Sequence, residues 1–160
     1  MGTFFNNQLW RFIFAKRNTE HWTKFLNLLY EGNRVWAQDA AALVVVISQK
    51  TFEYNGRSPI IHQFDAGAAW ENLALEASIR GIVAHGIEGF DYDRARRDLA
   101  IPDTFDVMAM IAIGKKGPRE KLPPKLQEKE FPNDRKPLSE IVIEGNFEEK
   151  NTHHEQFKNR

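Results

Sequence analysis

The chain has 160 residues, enough for one domain with a true core. Its 22 Lys and Arg balance 22 Asp and Glu, so it has no electrostatic reason to seek nucleic acid or an anionic membrane. With no cysteine, it excludes disulfides, thiolate zinc sites, iron–sulfur clusters and cysteine nucleophiles. No apolar run approaches the ~20 residues of a membrane-spanning helix, and the N-terminus lacks a secretory-signal pattern. The expectation is a soluble, cytoplasmic, globular protein.

Asn6 and Gln8 stand two positions apart, just before Trp10 and an apolar run. A carboxamide offers a donor and an acceptor together, which suits the edge of a flat heterocycle such as a flavin. The commoner use of these residues is a polar turn, here leading into a strand with Trp10 in the core. Arg11 to Lys16 read as that strand. Thr19 is placed to cap a helix running to Tyr30, with Trp22, Phe25, Leu26, Leu28 and Leu29 on a broad face. A second helical piece is expected from Arg34 to Ala42. Leu43 to Ser48 is a continuous apolar run, expected as a strand buried on both faces.

A loop containing Asn55-Gly56 and Ser58-Pro59 follows. The longest helix is predicted from Ile61 to Arg80. Its Ala66, Gly67, Ala68, Ala69, Ala74 and Ala77 let another backbone approach. Gly inside a helix costs ~1 kcal/mol relative to Ala, so close packing is expected there. Asp65 and Asn72 are seven apart and share a face, which favours a buried polar contact to a loop or a partner subunit. Gly81 ends the helix.

Ile82 to His85 is predicted to be extended, and Gly86 to Gly89 a turn. Asp91 caps a charged helix from Tyr92 to Leu99, halted before Pro102. Val107 to Gly114 is a second buried strand. From Lys115, Gly117-Pro118, Pro123-Pro124, Pro132 and Pro137 punctuate a charged stretch. Leu138 to Ile143 adds a last helical turn or strand. One domain is expected over 1–143, with a polar tail over 144–160 anchored only by Phe147 and Phe157. Three strands interleaved with helices make a mixed α/β or α+β sandwich.

Two further segments carry possible chemistry. In Gly86-Ile87-Glu88-Gly89-Phe90-Asp91, two glycines bracket Glu88, and glycine permits positive φ and close backbone approach. The N–H of Glu88 or Gly89 is then free to point at a cofactor nitrogen; a plain strand-to-helix turn is the other reading. The Glu88 side chain has no visible partner for acid–base work. Arg135 can fork onto a phosphate with Lys136 beside it, or the two are solvated surface. No Gly-x-Gly-x-x-Gly, P-loop or nucleophile elbow is present. His21, His62 and His85 are scattered and His153-His154 are adjacent, so no metal site is expected.

In this order the segments resemble the nitroreductase family of flavin-dependent oxidoreductases, from about Phe5 to Ile143. Asn6-x-Gln8-Leu9-Trp10 looks like that family's Ser-x-x-Asn-x-Gln-Pro-Trp loop. Asp65 to Ala77 looks like its central helix, which packs on its counterpart in a homodimer. Gly86 to Asp91 is similar to its Glu-Gly-Phe-Asp turn, where a main-chain N–H meets the flavin N5. Met110 to Gly114 looks like its later apolar strand. Arg135-Lys136-Pro137-Leu138-Ser139-Glu140 looks like a stretch whose Arg holds the FMN phosphate.

The resemblance implies an α+β fold with a mostly antiparallel central sheet, helices on its flanks and the long helix at a dimer interface. It implies FMN bound between subunits: Asn6 and Gln8 face the ring, Glu88 and Gly89 approach N5, and Arg135 holds the phosphate. Hydride from NADH or NADPH would pass through N5 to a nitroaromatic or quinone, with no catalytic side chain. The alternative is a flavin-free dimeric member that binds small molecules or serves structurally. Relatives begin with roughly fifty more residues, including an Arg-rich phosphate grip, so this chain reads as N-terminally shortened. Leu9 stands where the family usually has Pro, and Asn133 where it often has Lys.

Overall fold

The computed structural model describes residues 6–147. Contacts divide the chain into two compact units, Met1–Leu122 and Pro123–Arg160. The first is built on strands β1 (Trp10–Lys16), β2 (Ala42–Gln49), β3 (Val83–Ile87) and β4 (Phe105–Gly114). They form one antiparallel sheet in the order β1-β2-β4-β3. The fold is α+β, as the sequence implied.

Strand β2 lies inside the sheet, and Leu43 to Gln49 are all buried. Successive side chains of a strand point to opposite faces, so a strand covered on both sides must be apolar throughout. Leu43, Val45 and Ile47 meet Ala15, Ile87, Met110 and Ala112 on one face. Helices α1 (Trp22–Leu26), α2 (Glu31–Ala37) and α4 (Tyr92–Asp98) supply Phe25, Ala37 and Ala95 to that layer. Val44 and Val46 turn the other way, with Ile111, onto Ala66, Trp70 and Leu73 of α3 (His62–Ile79). Each large apolar side chain so buried contributes ~1.5–3 kcal/mol before entropy is counted. One β-bulge interrupts the β2–β4 ladder between Val46 and Ile47, leaving Met108 without a partner opposite.

Three elements differ from their sequence expectation. The helix expected from Thr19 to Tyr30 is only α1. The Thr19 hydroxyl does not cap it but donates back to the Lys16 carbonyl at 2.7 Å. Its far end is stopped by tertiary pairing: Leu29 bridges to Phe90, and Asp91 N–H donates to Leu28 at 2.9 Å. Helix α2 covers Glu31–Ala37 rather than 34–42, because Ala41 already donates to Ile113, 2.8 Å away, where the inner β2–β4 ladder begins. Strand β3 runs on through Gly86 to Ile87, so the turn is shorter than expected.

The second unit holds two single helical turns, α5 (Pro124–Gln127) and α6 (Leu138–Ile141). Phe131, Leu138, Ile141, Val142 and Phe147 are all exposed. Phe157 lies outside the described residues.

Candidate functional site

The amide loop is wound tightly. Asn6 (φ 55°) and Gln8 (φ 49°) both occupy the left-handed region. Asn tolerates it; for Gln it costs on the order of 1 kcal/mol and needs anchoring. Leu9 provides the anchor: its side chain is buried and its carbonyl accepts from Gln49 N–H at 2.7 Å. Burial thus does here what a proline's fixed φ does in the family pattern. Arg11 Nη1 closes the loop onto the Gln8 carbonyl at 2.5 Å. Trp10 packs over Val44, Val46 and Ala66, so it is a half-buried part of the α3-side layer.

The bracketed glutamate follows β3. Phe90 N–H donates to the Glu88 carbonyl at 2.9 Å, a tight three-residue turn centred on Gly89. The Gly89 carbonyl accepts twice, from Tyr30 N–H at 3.2 Å and from Asn33 Nδ2 at 3.0 Å. No bond is made by the Glu88 or Gly89 N–H among the described residues. Gly89 does not have positive φ; the steric demand comes from Asn33, whose Nδ2 lies 2.4 Å from where a Cβ would stand. Asp91 caps α4 as predicted, its Oδ1 accepting from Arg94 N–H at 2.8 Å.

Tyr92, the first residue of α4, stacks on Phe90 with ring centroids 4.0 Å apart. Burial, then the nearby Glu88 charge and Tyr30, push its phenol above the usual tyrosine range. It borders an open cleft of about 230 Å³ whose other walls include Gln63, Asp93, Arg96 and Asp106. Arg96 is spent on structure there, donating to the Pro102 and Phe105 carbonyls at 2.8 Å each.

The sheet register locates the two loops relative to each other. Trp10 pairs with Ser48 near the end of β2, and Gln49 pairs with Phe105 at the start of β4. Strand β3 runs against β4 toward that same end. The amide loop joins β1 at that end, whereas β3 stops short of it at Ile87, level with Met110, Val45 and Ile13, on the opposite edge. Three strand spacings separate the edges, roughly 14 Å. Within one chain the two loops thus belong to opposite edge strands, with β2 and β4 between them. Arg135 belongs to the second unit, where its Nη1 donates to the Asn133 side chain at 2.8 Å and to its carbonyl at 3.3 Å.

Among the described residues nothing lies within 4 Å of a Cβ placed on Gly67. Phe64, Leu75 and Ile79 are exposed. With Gly67 and Glu71 they form one outward stripe at helical spacing. Asp65 and Asn72 do not share a contact. Asn72 folds back onto the Ala68 carbonyl at 3.0 Å, while Asp65 is fully buried with neither oxygen bonded among the described residues. At the start of α3, Ser48 Oγ donates to the His62 carbonyl at 2.7 Å and lies 3.0 Å from His62 Nδ1. The single hydroxyl proton is then engaged, so Nδ1 is the donor in the second bond. No group of His, Asp or Glu is placed to hold a metal, and no helix is long and apolar enough to cross a membrane, among the described residues.

Residues 13–115 match the nitroreductase family. The chain belongs to that family. Within it, a Mycolicibacterium smegmatis protein named "Uncharacterized 15.4 kDa protein in ask 5'region" is 30% identical over 146 residues, 86% of this chain and 97% of that one. A crystallised oxidoreductase containing FMN is 42% identical with a TM-score of 0.85, over 89% of this chain and 74% of that one. A putative nitroreductase from Desulfovibrio desulfuricans, solved in complex with FMN, is similar in fold at 22% identity and a TM-score of 0.63, over 89% and 76% of the two chains.

This nitroreductase fold uses residues that its sequence did not single out. Tyr30 and Asn33 hold the Glu88 turn across 59 and 56 positions of chain, and no local pattern announces a contact at that range. The Gly89 contact could have been sought from the glycine itself, since a turn without positive φ still needs a reason to exclude a side chain.

Proposed function

We propose that this chain is a flavin-dependent oxidoreductase that binds FMN between two copies of itself. The observation that carries the reading is the Glu88–Gly89 turn, whose two N–H groups make no bond among the described residues. Bound FMN supplies hydride uptake from NADH or NADPH at N5 and its transfer to an electron-poor acceptor such as a nitroaromatic or quinone. The residues present suit it. The unpaired Gly89 N–H is a donor for a ring nitrogen, and the carboxamides of Asn6 and Gln8, on a loop wound into a strained form, are donors and acceptors for the ring edge. Arg135 is the residue proposed for the phosphate.

A second copy is part of the proposal. The flavin is proposed to lie between subunits, with residues of both chains around it, and the amide loop and the Glu88 turn are two of its proposed borders. The exposed stripe of Phe64, Gly67, Leu75 and Ile79 on α3 is the surface proposed to bring the copies together.

The test is to incubate the purified full chain with FMN, remove free flavin, and record visible absorbance and elution volume. Retained yellow colour on a dimer, bleached by NADH or NADPH without oxygen, is the expected result. Colourless protein after saturation with FMN overturns the reading and leaves the flavin-free family member.

A further inference from the structure

Asn33 is the third residue of α2, and Tyr30 is its N-cap. The main-chain N–H of Tyr30 and the side-chain amide of Asn33 converge on a single acceptor, the Gly89 carbonyl. That carbonyl is therefore fixed from two directions. The next link is the Phe90 N–H, which shares a planar peptide with the Gly89 carbonyl and points the opposite way, onto the Glu88 carbonyl. The Glu88 carbonyl is thereby fixed as well. Its own peptide is trans, so the Gly89 N–H must point away from the turn. The aim of the free donor follows, peptide by peptide, from the grip on the Gly89 carbonyl.

Asn33 also crowds residue 89. Its Nδ2 lies 2.4 Å from the position of a Cβ there, while the nearest Tyr30 atom is 3.9 Å away. A side chain at 89 cannot coexist with the Asn33 amide in its present place.

We infer that Asn33 is a positioning residue that holds the Gly89 N–H outward, toward the ring nitrogen of the bound cofactor. The cofactor half of this statement rests on the function proposed above; the link between Asn33 and the turn does not. An N–H facing N5 favours the ring while N5 is an acceptor and opposes it once N5 carries hydrogen. Loosening the turn should therefore raise the midpoint potential of bound FMN and weaken its binding, by about fivefold for one lost hydrogen bond.

The experiment compares the full-length protein with Asn33→Ala, Asn33→Asp, Gly89→Ala and the Asn33→Ala/Gly89→Ala double variant. In protein without flavin, amide hydrogen exchange is read at Phe90, inside the turn, and at Ala95, whose N–H is bonded to Asp91 in the neighbouring helix. Expected is faster exchange at Phe90 with Ala95 unchanged in Asn33→Ala. Asn33→Asp should do at least as much, because it sets an oxygen against the carbonyl. Gly89→Ala should destabilise the parent and be better tolerated in the Asn33→Ala background. With FMN, the three single variants should show a raised potential. Unchanged Phe90 exchange in both Asn33 variants overturns the inference, as does additivity of Asn33→Ala and Gly89→Ala. If the parent protein takes up no FMN, the proposed function fails, and the exchange and coupling results still decide whether Asn33 sets the turn.

Discussion

Trp70 lies across Gly86, with its Cζ2 3.3 Å from the point where a β-carbon on that glycine would stand. The contact joins α3 to β3, the strand that leads into the Glu88 turn. On the opposite face of the same strand, His85 meets Trp36 edge-on, with ring centroids 4.8 Å apart. Strand β3 is an edge strand of five residues, and these aromatic contacts hold it from both sides. Gly86→Leu is expected to tip the Trp70 indole and to destabilise the fold by about 1–3 kcal/mol, the usual cost of overpacking. Urea denaturation followed by tryptophan fluorescence measures it. An unchanged midpoint would mean that Trp70 is free to move aside and does not brace the strand.

Long uniform signals were legible in the sequence, and signals that depend on distant partners were not. The apolar run at Leu43 to Ser48 announced β2 because a strand covered on both faces has no alternative pattern. Gly81 marked the end of α3, expected over 61–80 and found over His62–Ile79, and its φ of 67° is the left-handed stop a glycine there allows. The helix expected as far as Tyr30 failed because Leu28 and Leu29 are claimed by Phe90 and Asp91, more than sixty positions away in sequence. At the site, the sequence named Glu88 and Gly89 but not Asn33, whose amide is an ordinary polar side chain until the fold brings it to the turn. It also proposed the carboxamides and the glutamate as borders of one guest, and strand order, which local pattern does not carry, sets them on opposite edge strands.

Gly67 distinguishes a lone subunit from a dimer. Nothing among the described residues crowds it, so in isolated subunits Gly67→Ala should stabilise α3 by up to ~1 kcal/mol. At a close interface the same position has no room for a large side chain. Gly67→Leu is therefore expected to shift the protein to monomer in size-exclusion chromatography. A Gly67→Leu protein that still elutes as a dimer with normal stability would remove this stripe from the interface.

Asp65 is fully buried and neither carboxylate oxygen is bonded among the described residues. An uncompensated charge away from water is costly, whereas an amide of the same shape is less so. Asp65→Asn is expected to raise stability by about 1 kcal/mol or more at neutral pH, read from the urea midpoint. A loss of similar size would show that the carboxylate has a partner beyond the described residues.

Arg135 is exposed and its bonds stay within its own loop, so removing it should leave unfolding unchanged. If it holds the FMN phosphate, Arg135→Ala forfeits a charge-assisted bond of ~1.5–3 kcal/mol, which weakens binding by roughly ten- to a hundredfold. Flavin titration by fluorescence quenching measures the change. Equal affinity in the variant would take Arg135 out of the phosphate site.

Tyr92 gives an alkaline test of the same neighbourhood. Its phenol is raised above the ordinary value of 10.0, first by burial and then by the Glu88 charge and Tyr30. A raised value means that the folded protein holds the proton more tightly than the unfolded chain does. The associated stability is complete below about pH 10 and is lost as the pH climbs through the folded-state value. The ring is more than one-third exposed, so the effect is small. Above that pH the parent should lose stability more steeply than Tyr92→Phe, which has no proton to release. Glu88→Gln should lower the phenol's apparent pKa in a spectroscopic titration, since it removes the neighbouring negative charge. A titration curve indifferent to residue 88 would show that burial alone governs Tyr92.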